Sequence, residues 1–269
     1  DGQLVAMHDD TLSRTTNVAS VFAARNGGYK VSDFTLAEIK QLTVVPPADT
    51  PTAKTTYPGF TPSSPDPLRV PTFQEVIDLA KSQSALVGRT VGIYPEAKQA
   101  DATMENKILS TLAANGYGSA NDKVFIQSFS NATIQSVNAK QNAAGETTNL
   151  ILLGAAVTIN GPGGSKIFLM GTLDGQGIPL DQLAQYADGV GVVVNYPGYD
   201  VTKEFVDAAH AAGLLVHLWT FGDPNAATAI PDYWKYYAMG VDGLFTNYTD
   251  LAVQALATVP GPGGLGLLA

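Results

Sequence analysis

A chain of 269 residues, 45% hydrophobic and 14% charged, is long enough to bury one sizeable core, and α/β barrels reach this length as single domains. A net charge of −9 argues against nucleic acid and against an anionic membrane surface, but not against a small anion, because a bound divalent cation reverses the local sign. The lack of cysteine excludes disulfides, thiolate chemistry and cysteine-ligated zinc, and no apolar run of about eighteen residues is present to span a membrane.

The first stretch, DGQLVAMHDDTLSRTT over residues 1–16, reads as a turn at Asp1-Gly2, a strand over 3–7, and His8-Asp9 at the strand's tip. The period of two puts Leu4, Ala6 and His8 on one face and Val5 and Met7 on the other. An imidazole presented this way is either poised for proton transfer near neutral pH or a surface histidine on a capped polar loop. Thr35 and Glu38 form a capping box that opens a helix to Leu42. Residues 46–71 are crowded with Pro, Thr and Ser and read as a long loop, either walling a pocket or simply inserted. Thr72 and Glu75 form a second capping box, and the helix it opens carries Phe73, Val76, Ile77 and Ala80 on one face.

Strands and helices alternate from there. Strands are expected over 91–94, 124–129, 150–153, 190–195, 214–221 and 244–247. Helices are expected over 103–114, 132–141, 180–187, 202–212 and 233–239, with a last one capped by Thr249 and running to Ala257. This alternation implies βαβ units and a parallel sheet. No G-x-G-x-x-G or G-x-x-x-x-G-K-[ST] follows a strand, so a dinucleotide fold has no support and a barrel fits better.

Chemistry in such barrels gathers at the C-terminal ends of strands. Those ends hold His8, Glu96, Lys98, the run Gln127-Ser128-Phe129, Asn195, Trp219 and Asn247. Glu96 and Lys98, two apart, point the same way: a carboxylate suits a hard cation and a lysine suits a phosphate oxygen, unless the two form an ordinary exposed ion pair. Trp219, sharing a face with His217 and Phe221, either covers a glycerol or choline group or packs as a rim aromatic. Gln127 serves either a ligand or the barrel backbone, and Ser128 lacks the His/Asp partners of a nucleophile. His217 is expected as a satisfied core residue and His210 as a solvated one.

The block DGQLVAMHDDTLSRTTNVAS resembles the glycerophosphodiester phosphodiesterase family, where a short strand ends in a catalytic His-Asp followed by T-L-x-R-T-T. The resemblance continues through VSDFTLAEIKQL, VPTFQEVIDLA, YPEAK and VDGLFTNYTDLAVQAL, and YPEAK is most similar to the periplasmic bacterial branch. It implies a TIM-type (β/α)8 barrel over residues 1–258 that lacks its first two strands, followed by a Gly/Pro tail over 259–269. That tail, VPGPGGLGLLA, also resembles the start of a V-P-x-P sorting signal, with Gly261 in place of the usual Glu. The implied activity is metal-dependent hydrolysis of a small anionic glycerophosphodiester to glycerol 3-phosphate and an alcohol, outside the cytoplasm of a bacterium.

Residue by residue, the resemblance implies His8 as one of two acid–base histidines, Glu96 as a ligand of Ca²⁺ or Mg²⁺, Lys98 beside the phosphate, and Gln127 and Trp219 in the pocket. Ala97 stands where relatives often have Ile, and Asn247 where they have Asp. The family's H-R-G and E-x-D motifs, which carry the second histidine and two further carboxylates, do not occur in this sequence. Residues 1–269 alone are therefore expected to be inactive and to leave two strand edges unpaired. A sphingomyelinase D-like lipase and a barrel that only binds are the alternatives. The resemblance gives neither the oligomeric state nor the preferred alcohol.

Overall fold

The computed structural model describes residues 1–45, 68–98, 101–162, 164–171, 173 and 175–260. Most of the Pro-rich loop and the last nine residues, including the sorting-signal resemblance at Gly261, lie outside the described residues. The chain divides into two compact units, Asp1–Ile93 and Tyr94–Ala269.

The first unit is built from short pieces around one small core. Its helices are α1 (Val18–Val21), α2 (Leu36–Ile39) and α3 (Phe73–Val87). Both expected capping boxes are present: Thr35 and Thr72 each accept from the Glu three residues on, whose carboxylate accepts in return from the threonine's backbone N–H. Helix α2 stops at Ile39, short of Leu42, and α3 buries Phe73, Ile77 and Ala80 as its spacing requires. Leu12, Val18, Phe34, Ile39, Leu42 and Val70 form the core, with Val5 and Met7 packed against it. The strand expected over 3–7 is reduced to a single antiparallel bridge, Val5↔Thr72, held by Ala6 N–H to Pro71 C=O and Phe73 N–H to Leu4 C=O. Two hydrogen bonds and one buried face suffice to fix the pleat, and they leave His8 on the side away from that core.

The second unit is the α/β layer. After α4 (Ala102–Ala114) come β1 (Phe125–Ser128), α5 (Asn131–Ala144) and β2 (Asn149–Ile159). Then follow β3 (Lys166–Gly171), β4 (Gly177–Pro179), α6 (Leu180–Leu183), β5 (Gly189–Val193) and α7 (Lys203–Ala211). The chain closes with β6 (Leu215–Phe221), α8 (Ala226–Met239), β7 (Gly243–Thr246) and α9 (Thr249–Ala257).

Strands β1, β2, β5, β6 and β7 pair in parallel in that spatial order, and β3 and β4 extend β2 as an antiparallel arm. The 94–97 segment adds to β1 through a parallel bridge, Glu96↔Gln127. The architecture is thus α/β with a parallel-rich sheet, as expected, and the sheet is open: among the described residues β7 pairs with β6 alone. The two edges meet instead through side chains, Tyr94 packing edge-on to Phe245 at 4.8 Å.

Three local expectations are corrected. The strand expected over 150–153 runs on to Ile159 and turns back, because Gly154 through Ile159 pair with β3. Helix α8 begins at Ala226, capped by Asn225, and carries Pro231 inside it rather than starting after it. Thr249 is the first residue of α9 and not its cap; Tyr248 holds that position without a side-chain bond.

Candidate functional site

His8 stands at the tip of the Val5 bridge with its side chain 80% exposed. Its Nδ1 lies 2.7 Å from Oδ1 of Asp9. Arg14, five residues on, grips the same carboxylate with two donors: Nε to Oδ2 at 2.6 Å and a terminal nitrogen to Oδ1 at 2.8 Å. The guanidinium, followed by the imidazole, holds the Asp9 carboxyl far below the usual carboxylate range. With Nδ1 engaged, Nε2 is the ring nitrogen left to a proton donor or acceptor in solution.

Alternation sorts the 93–98 segment, whose first residue closes the first unit and whose others open the second. Ile93 and Ala97 are buried, while Tyr94, Glu96 and Lys98 share the opposite side. Gln127 N–H donates to Pro95 C=O at 2.9 Å and Ala97 N–H to Gln127 C=O at 2.8 Å, which sets Glu96 beside Gln127 at the C-terminal end of β1. Lys98 Nζ reaches Glu96 Oε2 at 3.0 Å. Below this pair lies a layer of rings: Tyr94 packs on Phe125 at 5.1 Å, on His217 at 5.7 Å and on Phe245. One step beyond Gln127 on the same face, Phe129 meets Trp219 at 5.4 Å with the rings perpendicular. Glycine at 191 makes room for the Leu153 side chain, which a Cβ there would meet at 2.4 Å, while the Trp219 indole lies at an ordinary contact distance of 3.6 Å. The face Glu96, Lys98, Gln127, Phe129 and Trp219 is thus one surface at the C-terminal ends of parallel strands.

The neighbouring groups are structural. His217 is buried, and its Nδ1 lies 2.7 Å from the Tyr94 hydroxyl; burial lowers its pKa from the usual value and raises that of Tyr94. Ser128 Oγ donates to Ala97 C=O at 2.9 Å, a backbone tie and not a nucleophile's arrangement. One expectation fails. Phe221 does not share Trp219's face: the register shifts between Leu218 and Phe221, and Phe221 packs on Tyr233 and Tyr236 of α8. His210 is exposed, as expected, and its Nε2 lies 2.9 Å from Asp242 Oδ2. Trp219 Nε1 is buried and finds no acceptor among the described residues.

A hard cation such as Ca²⁺ asks for about six to eight oxygens. Glu96 offers one carboxylate, already paired with Lys98, and among the described residues no three His, Cys, Asp or Glu converge. The described donors therefore do not amount to a cation site.

The role of Arg14 is not legible from its spacing alone, since Asp9 and Arg14 lie in a loop without the regular geometry that makes helical spacings informative. Phe129, named in the sequence only as part of a strand-end run, is assigned to the face by parity, two residues after Gln127.

Residues 1–251 match the model of the glycerophosphoryl diester phosphodiesterase family. The glycerophosphodiester phosphodiesterase of Bacillus subtilis is 30% identical over 260 residues, which cover 93% of this chain and 71% of that protein. That of Haemophilus influenzae is 34% identical over 140 residues, 48% of this chain and 38% of that protein's length. Among solved structures, one from Silicibacter pomeroyi that carries the same family name superposes with a TM-score of 0.66 at 20% identity, covering 95% of this chain and 79% of that one. A glycerophosphoryl diester phosphodiesterase from Parabacteroides distasonis gives 0.56 at 16% identity, covering 98% and 74%. At such identities the structures speak to the fold, which they share with this chain.

Proposed function

Because the chain belongs to the glycerophosphoryl diester phosphodiesterase family, we propose that it hydrolyses glycerophosphodiesters, releasing glycerol 3-phosphate and an alcohol. The observation that carries this reading is the exposed imidazole of His8, engaged on Nδ1 by a carboxylate and open on Nε2. In the reaction water adds to phosphorus, the P–O bond to the alcohol breaks, and the departing oxygen takes up a proton. His8 Nε2 is read as one of the groups moving those protons. Lys98 is read as a point charge for a phosphate oxygen, Gln127 as a donor to it, and Trp219 as the apolar cover of the glycerol or alcohol group.

A divalent cation, Ca²⁺ or Mg²⁺, belongs to the reading through Glu96; when bound it would offset charge on the phosphoryl oxygens. The described donors do not complete its site, so the steps above rest on side chains alone. The substrate is a small anion, and an extracytoplasmic bacterial location follows the similarity to the periplasmic branch. No helix among the described residues is long and apolar enough to cross a membrane.

The test is turnover of glycerophosphocholine, with glycerol 3-phosphate measured as product, by this chain and by His8→Ala, each with chelator and with added Ca²⁺ or Mg²⁺. Activity that falls about a hundredfold or more in His8→Ala supports the assignment, in line with the usual worth of a general acid or base. Equal, measurable turnover in the two proteins sinks it, whereas no turnover in either is the outcome expected of residues 1–269 alone. Full activity in excess chelator removes the cation from the reading.

A further inference from the structure

Asp9 is bound twice over. One face of its carboxylate meets His8 Nδ1 at 2.7 Å, and both its oxygens accept from Arg14. Isolated exposed ion pairs contribute little, but a bidentate guanidinium–carboxylate pair holds a planar geometry that a single contact does not. Asp9 itself is only 22% exposed, which makes its orientation by Arg14 more consequential.

The consequence falls on the ring. With Asp9 ionised, Nδ1 cannot present its lone pair to Oδ1 at 2.7 Å, so the hydrogen must be on Nδ1. The competing arrangement would leave Nδ1 bare, accepting from the terminal nitrogen of Arg14. That contact is 3.4 Å long, and it would set two lone pairs against each other across the shorter one. We propose that Arg14 is a positioning residue: by clamping Asp9 it fixes His8 in the tautomer with hydrogen on Nδ1 and leaves the Nε2 lone pair facing outward.

This rests on the reading of His8 as the proton-moving group, where an Nε2 lone pair is what can accept a proton from water or alcohol. A carboxylate on Nδ1 that sets the tautomer is the arrangement of serine hydrolases, where replacing it by an amide inverts the tautomer. What is particular to this chain is that the carboxylate is itself held by an arginine from the following loop.

The chain has three histidines, so selective ¹⁵N-histidine labelling resolves them, and the His8 signals are those lost in His8→Ala. In the neutral ring of the unsubstituted chain, Nδ1 should carry the proton. Arg14→Ala should lower the ratio of Nδ1–H to Nε2–H severalfold, and Arg14→Lys, which keeps the charge but not the fork, should lie between. Asp9→Asn should shift the ratio the same way with Arg14 intact. If hydrogen sits on Nε2 in the unsubstituted chain, or if Arg14→Ala leaves the ratio unchanged, the clamp is overturned, whatever the turnover.

Turnover is read in parallel. Arg14→Ala lowering kcat with KM little changed supports the positioning role. A changed tautomer ratio together with full turnover in His8→Ala supports the clamp and overturns instead the acid–base assignment of His8.

Discussion

His217 and Trp219 sit two residues apart on β6 with different duties. His217 is 6% exposed, bonded to Tyr94 and walled by Phe125, so burial keeps it neutral. Asp242 acts in the opposite sense but more weakly. A histidine with a lowered folded pKa stabilises the fold above its unfolded value of about 6.5, and that contribution is lost as pH falls through the folded value. Urea unfolding at pH 7.5 and 5.5 should therefore show a larger loss in the unsubstituted chain than in His217→Gln; whatever the other two histidines contribute is common to both. Equal losses would mean that His217 is not the group responsible. The strand parity of His217, Trp219, Glu96 and Gln127 could be read from alternation and the strand ends. The Asp9–Arg14 contact could not, because loop geometry has no period. The same holds for Tyr94 as His217's partner, which depends on strands distant in sequence.

At the level of elements, what was legible is what is coded locally. The capping boxes at Thr35–Glu38 and Thr72–Glu75 are each formed, because a hydroxyl and a carboxylate three residues apart satisfy backbone donors within one turn. Arg25 adds to the first, gripping Glu38 while lying over Phe34 at 4.3 Å. Thr72→Ala should cost about 1 kcal/mol in the unfolding free energy from a urea titration, the usual worth of a threonine cap. A loss within error of zero would show that the Lys40–Glu75 ion pair suffices to fix that helix start. The arm of β3 and β4 was not legible. Gly154, Ala155 and Ala156 carry little strand preference, and the Gly161-Pro162 turn reads as a plain loop. Pairing with β3 is what extends β2 to Ile159, and pairing is a tertiary fact.

For the molecule as a whole, parallel strands separated by helices were readable from the alternation, while the sheet's order β1-β2-β5-β6-β7 is a fact of the tertiary structure. Of the two strand edges expected to stay unpaired, the open one seen is that of β7, which has β6 as its strand partner among the described residues. The β2–β3 arm bears on the order in which the second unit assembles. Each parallel pairing must first close a loop containing a helix, whereas β2 and β3 are joined by a short turn and meet six residues deep. The hairpin therefore costs less closure entropy than any parallel pairing in the sheet, and it forms on the half of β2 that lies largely beyond the residues paired by β1 and β5. Leu169→Ala on β3 and Leu218→Ala on β6 each empty a fully buried position and should each cost about 2–5 kcal/mol. In stopped-flow refolding the first should mainly slow folding, with φ above about 0.5, and the second should mainly speed unfolding. The reverse partition would put nucleation among the parallel strands, leaving the arm as a late arrival.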